Sequence, residues 1–182
     1  MILMVELRSL KTDKLTKKEI LQICILKNTF WKHGLKSNIN WFKENIKNKD
    51  IHNLLYYKNI FVGYSLLRKR IFFHEKIKKY YLYSDTLIIK KNFRNLKLAT
   101  ILWNFNSEII IMHKLHAFLI CEKHIKPFHK KFNWKSLNKS EYQMMDHTPS
   151  FKPYFAMVFN LNNKFFNTEK KYFVTNSIKK VL

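Results

Sequence analysis

The stretch Asp85–Thr100, DTLIIKKNFRNLKLAT, constrains this chain more than any other. It closes a run, Tyr80–Ile89 (YYLYSDTLII), so rich in aromatic and β-branched side chains that it predicts a strand. A basic connection, Lys90–Leu96, follows at once. Leu98, Leu102, Phe105, Ile109 and Met112 then recur at helical spacing and mark one face of a long helix. The first amides of such a helix have no partners inside it, and its dipole places partial positive charge at the same end. A strand, a basic loop and a helix start together form a cradle for a pyrophosphate. Arg94 and Lys97 add side-chain charge to that cradle, and Ala99 is small enough to let a phosphate reach the backbone.

The remaining elements fall on either side of this unit. Val5–Leu10 alternates like a half-buried strand. Thr16 with Glu19 makes a capping box ahead of Ile20, Ile23, Cys24, Lys27 and Trp31, which follow helical spacing, and Gly34 is placed to end that helix. Ser37–Ile46 predicts a shorter helix with Trp41, Phe42 and Ile46 on one side. Asn53–Tyr57 and Phe61–Arg68 predict strands joined by a turn at Lys58–Asn59. Beyond the long helix come a short buried strand at His116–Cys121 and a small helix opened by Pro127. Trp134–Met145 predicts a strand and hairpin arm, and Tyr154–Leu161 another strand. This order predicts an α+β (α/β layered) fold with helices on both faces of one sheet. One domain is expected over residues 1–161, with residues 162–182 as a C-terminal tail or extension.

Composition narrows the function classes without choosing among them. With 16 Phe, 9 Tyr and 4 Trp against 2 Gly and 3 Pro, the chain must bury rings in one core and has no flexible linker. Its 35 Lys plus Arg and 12 Asp plus Glu give a net charge of +23, a field that attracts nucleic acid, acidic lipid or a nucleotide cofactor alike. The lysines are scattered rather than gathered in a stripe, as on a solvated surface. Cys24 and Cys121 fit no metal or disulfide framework. No cleavable signal and no apolar run long enough for a membrane span are visible, so a soluble, cytoplasmic protein without a bound metal is expected.

The pattern Arg94, Lys97, Ala99 resembles the pyrophosphate loop of the GNAT acetyltransferase superfamily, in which Gln or Arg is followed by two residues, Gly, one residue, and Gly or Ala. Lys97 stands where the first Gly is usual, a change that matters if the position needs a positive φ. Asp85 lies on the strand that carries an acidic residue in the family. Further on, PFHKKFNWK (Pro127–Lys135) is similar to the family phrase Phe-Tyr-x-Lys-x-Gly-Phe through Phe128, Lys131 and Trp134. His129 replaces the usual Tyr, and Asn133 the usual Gly, a residue type that tolerates left-handed backbone. The segment Trp31–Leu54 also looks like superfamily members that acylate amino sugars. The likeness spans roughly residues 5–161.

That resemblance implies a GNAT-like central mixed, mostly antiparallel sheet and a direct transfer from acetyl-CoA, or another acyl-CoA, to a primary amine on a small molecule such as an amino sugar. The pantetheine arm would pair with the backbone of Leu87, Ile88 and Ile89. The pyrophosphate would sit on Arg94, Asn95, Leu96, Lys97, Leu98, Ala99 and Thr100. Asp85 becomes the candidate base for the amine, and His129 the donor to the departing thiolate. Trp31, His33, Asp50 and His52 are candidate walls of the acceptor pocket. Cys121 is expected to be a buried structural thiol, since the family needs no covalent step. Three other outcomes stay open: a basic nucleic-acid-binding protein, an acetyltransferase acting on an RNA-linked amine, and a CoA-binding relative without activity. A monomer and a homodimer are both compatible with the sequence.

Overall fold

A computed structural model describes residues 4–74, 77–144, 154–159 and 171–174. The chain packs as two compact units, residues 1–68 with 85–109, and residues 69–84 with 110–182. Two long strands, β3 (Ile60–His74) and β4 (Ile77–Ile89), contribute to both.

In the first unit, β1 (Val5–Lys11), β2 (Ile51–Tyr57), β3 and β4 lie side by side in that order. β1 and β2 are antiparallel, as are β2 and β3, whose turn residues Lys58 and Asn59 take φ of 49° and 62°. Positive φ at both central positions gives a hairpin turn whose twist suits the strands. Helices α1 (Lys17–Phe30) and α2 (Leu35–Asn45) cover a core of Ile23, Cys24, Leu26, Phe42, Leu54, Tyr64, Leu66 and Ile88. A second core, Leu55, Val62 and Ile89 with Leu98 and Leu102, belongs to α3 (Leu98–Met112). Thr16 caps α1 with Glu19 as the sequence predicts. Gly34 departs from its expected role: α1 ends at Phe30, and Gly34, at φ 89°, instead opens α2, with its N–H donating to Asn28 Oδ1 at 2.9 Å. A side chain there would strain the entry to the helix.

In the second unit β4 runs parallel to β5 (Ala117–Glu122), which pairs antiparallel with β8 (Tyr154–Phe159), and β8 with β6 (Lys135–Ser136). α4 is the short helix Lys126–Lys130, with Pro127 in its first turn. The arm predicted over Trp134–Met145 is two short strands, β6 and β7 (Tyr142–Met144), separated by a 3-10 turn that Asn138 and Glu141 cap; Met145 lies outside the described residues. Within residues 162–182, the segment Lys171–Val174 forms β9, parallel to β7 and antiparallel to β3. Phe118 stacks on Phe173 at 4.1 Å between ring centres inside a core with Phe72, Tyr81 and Tyr83.

Gly63 explains why a glycine stands in the middle of β3. A Cβ there would lie 2.8 Å from Ile89 Cδ1 and 3.2 Å from Leu55 Cβ. Gly63→Ala is expected to destabilise the protein by about 1–3 kcal/mol, read from the urea midpoint, because that crowding falls on two residues of the α3 core.

Candidate functional site

The end of β4 has an open backbone edge. Its parallel pairing with β5 is confined to Leu82 and Tyr83. Among the described residues, no strand pairs with Asp85–Ile89 on the side away from β3. The chain leaves the strand where Lys90 N–H donates to Val62 O at 2.8 Å, then makes a 3-10 stretch over Lys91–Leu96. Arg94 folds back, its Nε donating to Ile89 O at 3.1 Å and its guanidinium 5.9 Å from the Phe30 ring. Lys97 takes φ 56° and ψ 15°, and α3 begins at the next residue. Leu98 is fully buried and pins the helix start, while Arg94 to Lys97 stay exposed.

The position of Lys97 therefore does need a left-handed backbone, and a lysine supplies it. Such a conformation costs an ordinary residue about 1–2 kcal/mol relative to glycine. Lys97→Gly is expected to hold or slightly raise the urea midpoint. Lys97→Val, whose branched Cβ resists this region, should lower stability by about 1–2 kcal/mol.

Beside this edge, and within the same unit, lies a cavity of about 300 Å³ lined by Lys27, Trp31, His33, Ser37, Asn38, Trp41, Asp85 and Thr86. Asp85 accepts a hydrogen bond from Arg68 Nη1 at 2.8 Å, and Arg68 Nη2 donates to Asn45 O at the end of α2. The Arg68 side chain is 3% exposed and that of Asp85 20%, so the carboxylate faces the cavity while its counter-ion is buried behind it. Lys27 Nζ sits 3.4 Å above the Trp41 ring centre and 5.5 Å from that of Trp31. A desolvated cation–π contact returns about 2 kcal/mol, against several kcal/mol for burying an ammonium. Burial consequently pushes Lys27 down to about 8, although the Asp85 charge opposes that shift. Thr86 Oγ1 is buried and, among the described residues, has no hydrogen-bond partner.

Of the predicted pocket residues, Trp31 and His33 line this cavity. Asp50 and His52 do not: both are fully buried, without surface to offer a substrate. Asp50 accepts from Lys47 N at 2.9 Å and holds the turn before β2. His52 bonds Thr12 Oγ1 and Tyr64 Oη, each at 2.8 Å, and stacks between Phe42 and Tyr64. Burial first, and then the Lys27 charge, lower His52 to about 3, so it is a neutral structural imidazole. His129, in the second unit, is buried on α4 with Phe128 at 5.5 Å and Trp134 at 6.1 Å. Burial lowers it to about 4, so the imidazole is neutral near pH 7 and can donate an N–H hydrogen bond. Asn133 takes φ 63°, as a residue in a glycine position should. Cys121 is buried with its thiol pushed up by burial and its Sγ 3.9 Å from Met157 Sδ, the setting of a packing residue.

The cavity also brings in Lys27, Ser37, Asn38, Trp41 and Thr86, with Arg68 behind Asp85, none of them expected as a site residue. In the sequence Lys27 stands within the α1 apolar face, where a cation among apolar residues was the signal. Arg68 shares the phase of buried Tyr64 and Leu66 on β3, which marks it as an inward arginine.

Because the folded protein holds His52 about 3 and the ordinary value is 6.5, the unfolded chain binds more protons between those limits. Stability is therefore expected to be full above about pH 6.5 and to fall as pH drops towards 3, by on the order of several kcal/mol. His129 acts in the same direction. Urea titrations across this range should show a shallower acid limb for His52→Gln than for the parent.

No protein-family model matches the sequence, and no curated protein sequence matches it. Solved structures do match in fold. Escherichia coli ElaA superimposes with a TM-score of 0.63 at 13% identity, over 85% of this chain and 99% of its own. An acyl-CoA N-acyltransferase from Pseudomonas aeruginosa gives 0.63 at 11% identity over 85% and 98%. An aminoglycoside 6'-N-acetyltransferase, solved in complex with coenzyme A, gives 0.60 at 13% identity over 83% and 95%. These likenesses establish the fold, and it is the GNAT acetyltransferase fold to which Arg94 and Ala99 pointed. Among the described residues no helix is long and apolar enough to cross a membrane, and no group of His, Cys, Asp and Glu could hold a metal ion.

Proposed function

We propose that this protein is an acyl-CoA-dependent N-acyltransferase that moves an acetyl group to a primary amine on a small molecule. The observation that carries this reading is the unpaired edge of Asp85–Ile89, which runs into a basic loop and a helix start next to a cavity holding Asp85. The loop fits a polyanionic donor: Lys90, Lys91, Arg94 and Lys97 are exposed, and no acidic residue occurs between Asp85 and Glu108. Amides of the first turn of α3 would receive the pyrophosphate. The backbone of Leu87, Ile88 and Ile89 would pair with the pantetheine amides as an added strand does.

In the transfer, the amine nitrogen attacks the thioester carbonyl carbon, the C–S bond breaks, and the pair leaves on the thiolate. Holding amine and thioester together is the largest part of the acceleration. An acceptor amine arrives protonated, and Asp85, aimed into the cavity by Arg68, takes that proton directly or through a water. An amino sugar suits a cavity walled by Trp31 and Trp41, whose flat faces pack well on sugar rings.

Calorimetric titration with acetyl-CoA at two salt concentrations, with ADP as a polyanion control, tests the donor site. Saturable one-to-one binding clearly tighter than ADP is expected; equal binding that fades equally with salt would overturn the reading and leave a general anion trap. Given turnover, Asp85→Asn should lower kcat by about 10²–10⁴-fold while acetyl-CoA affinity stays within twofold.

A further inference from the structure

Around the cavity two buried cations, Arg68 and Lys27, share the charge of one carboxylate, Asp85. Asp85 is matched by Arg68 at 2.8 Å. Lys27 is not matched: it is 6% exposed, and among the described residues no oxygen accepts a hydrogen bond from its Nζ, which rests on the faces of Trp41 and Trp31. Cys24, the nearby thiol on the same helix, is neutral with its proton held by burial. A simple amine, protonated in water, would enter a wall that is already positive on balance. A molecule bearing an acid group as well would bring the missing counter-ion and leave its amine for Asp85.

We propose that the acceptor is an amine that also carries a carboxylate, an amino acid or an acidic amino sugar, and that Lys27 receives the carboxylate. This rests on the acyltransferase reading and narrows its substrate class. Three further features fit. Lys27 stays largely protonated near pH 7 despite its burial, so it can form a charge-assisted hydrogen bond. Thr86 Oγ1, 4% exposed in residue terms and without a partner, lines the same cavity and can donate to the acid or to a neighbouring hydroxyl. A volume of about 300 Å³ suits a single amino acid or one sugar ring rather than a multi-ring amine. Trp41 blocks one side of Nζ, so the carboxylate approaches from the cavity side and the indole beneath keeps water from competing.

The test is calorimetric binding to the full chain saturated with coenzyme A, using matched pairs: β-alanine against propylamine, and 2-amino-2-deoxyglucuronic acid against glucosamine. The acid-bearing member of at least one pair should bind about tenfold more tightly or better. Lys27→Met, close in shape and compatible with two indoles, should bring that pair to within twofold. Urea unfolding of the variant shows that it is folded, and Lys27→Arg should restore part of the preference. No acid preference in either pair, or a preference that survives Lys27→Met, would overturn the inference while coenzyme A binding leaves the acyltransferase reading standing. Failure to bind coenzyme A or acetyl-CoA at all would overturn both.

Discussion

A guanidinium buried as deeply as that of Arg68 needs an anion within reach, and Asp85 supplies one at 2.8 Å. This requirement organises the ground around the cavity. It ties β3 to β4 at the residue where the open edge of β4 begins. It draws in the carbonyl of Asn45 and so fixes the end of α2, and it sets Trp41 between two cations, Arg68 at 5.6 Å and Lys27 at 3.4 Å. The carboxylate gains a defined direction. A surface aspartate at the same point would swing freely, whereas this one lines the cavity with one oxygen held.

Around that pair the first unit separates two kinds of polar burial. His52 and Tyr64, both fully buried, form a chain of hydrogen bonds that ends on the half-buried Thr12, and Asn53, Ser65 and Asn106 are hydrogen-bonded to one another between β2, β3 and α3. These bonds join the strands and the helix of the unit from within. Lys27 and Thr86 are buried to a similar degree but lack partners of that kind. Burial alone therefore does not separate polar side chains bonded to their neighbours from those that face the cavity.

Much of this was legible in the residues. The capping box at Thr16, the α3 periodicity, the Lys58–Asn59 turn and the glycine-like behaviour of Asn133 follow from local rules that act over a few residues. What stayed hidden depends on partners distant in the chain. Gly34 could close one helix or open the next, and only the packing of α2 against α1 decides it. β6 and β9, two and four residues long, have no period to read and exist because β8 and β3 offer them edges. Asp50 and His52 have the composition of pocket residues, but β2 is covered on both faces, which buries His52, and Asp50 is taken up by the turn before the strand. For the site, Asp85, Trp31 and His33 came from the family likeness and from sequence neighbourhood. Lys27 and Arg68 needed the side-chain geometry.

Lys97 shows how a loop can take a shape that a different spelling usually encodes. The left-handed turn ahead of α3 is a property of two dihedral angles, and glycine is merely the residue that adopts them with least resistance. By placing a lysine there the chain accepts local strain and gains a cation at the mouth of a helix. A pattern written in residue letters registers a mismatch at this point, whereas the backbone registers none. Likeness of fold is carried by conformation, and it holds where the letters differ.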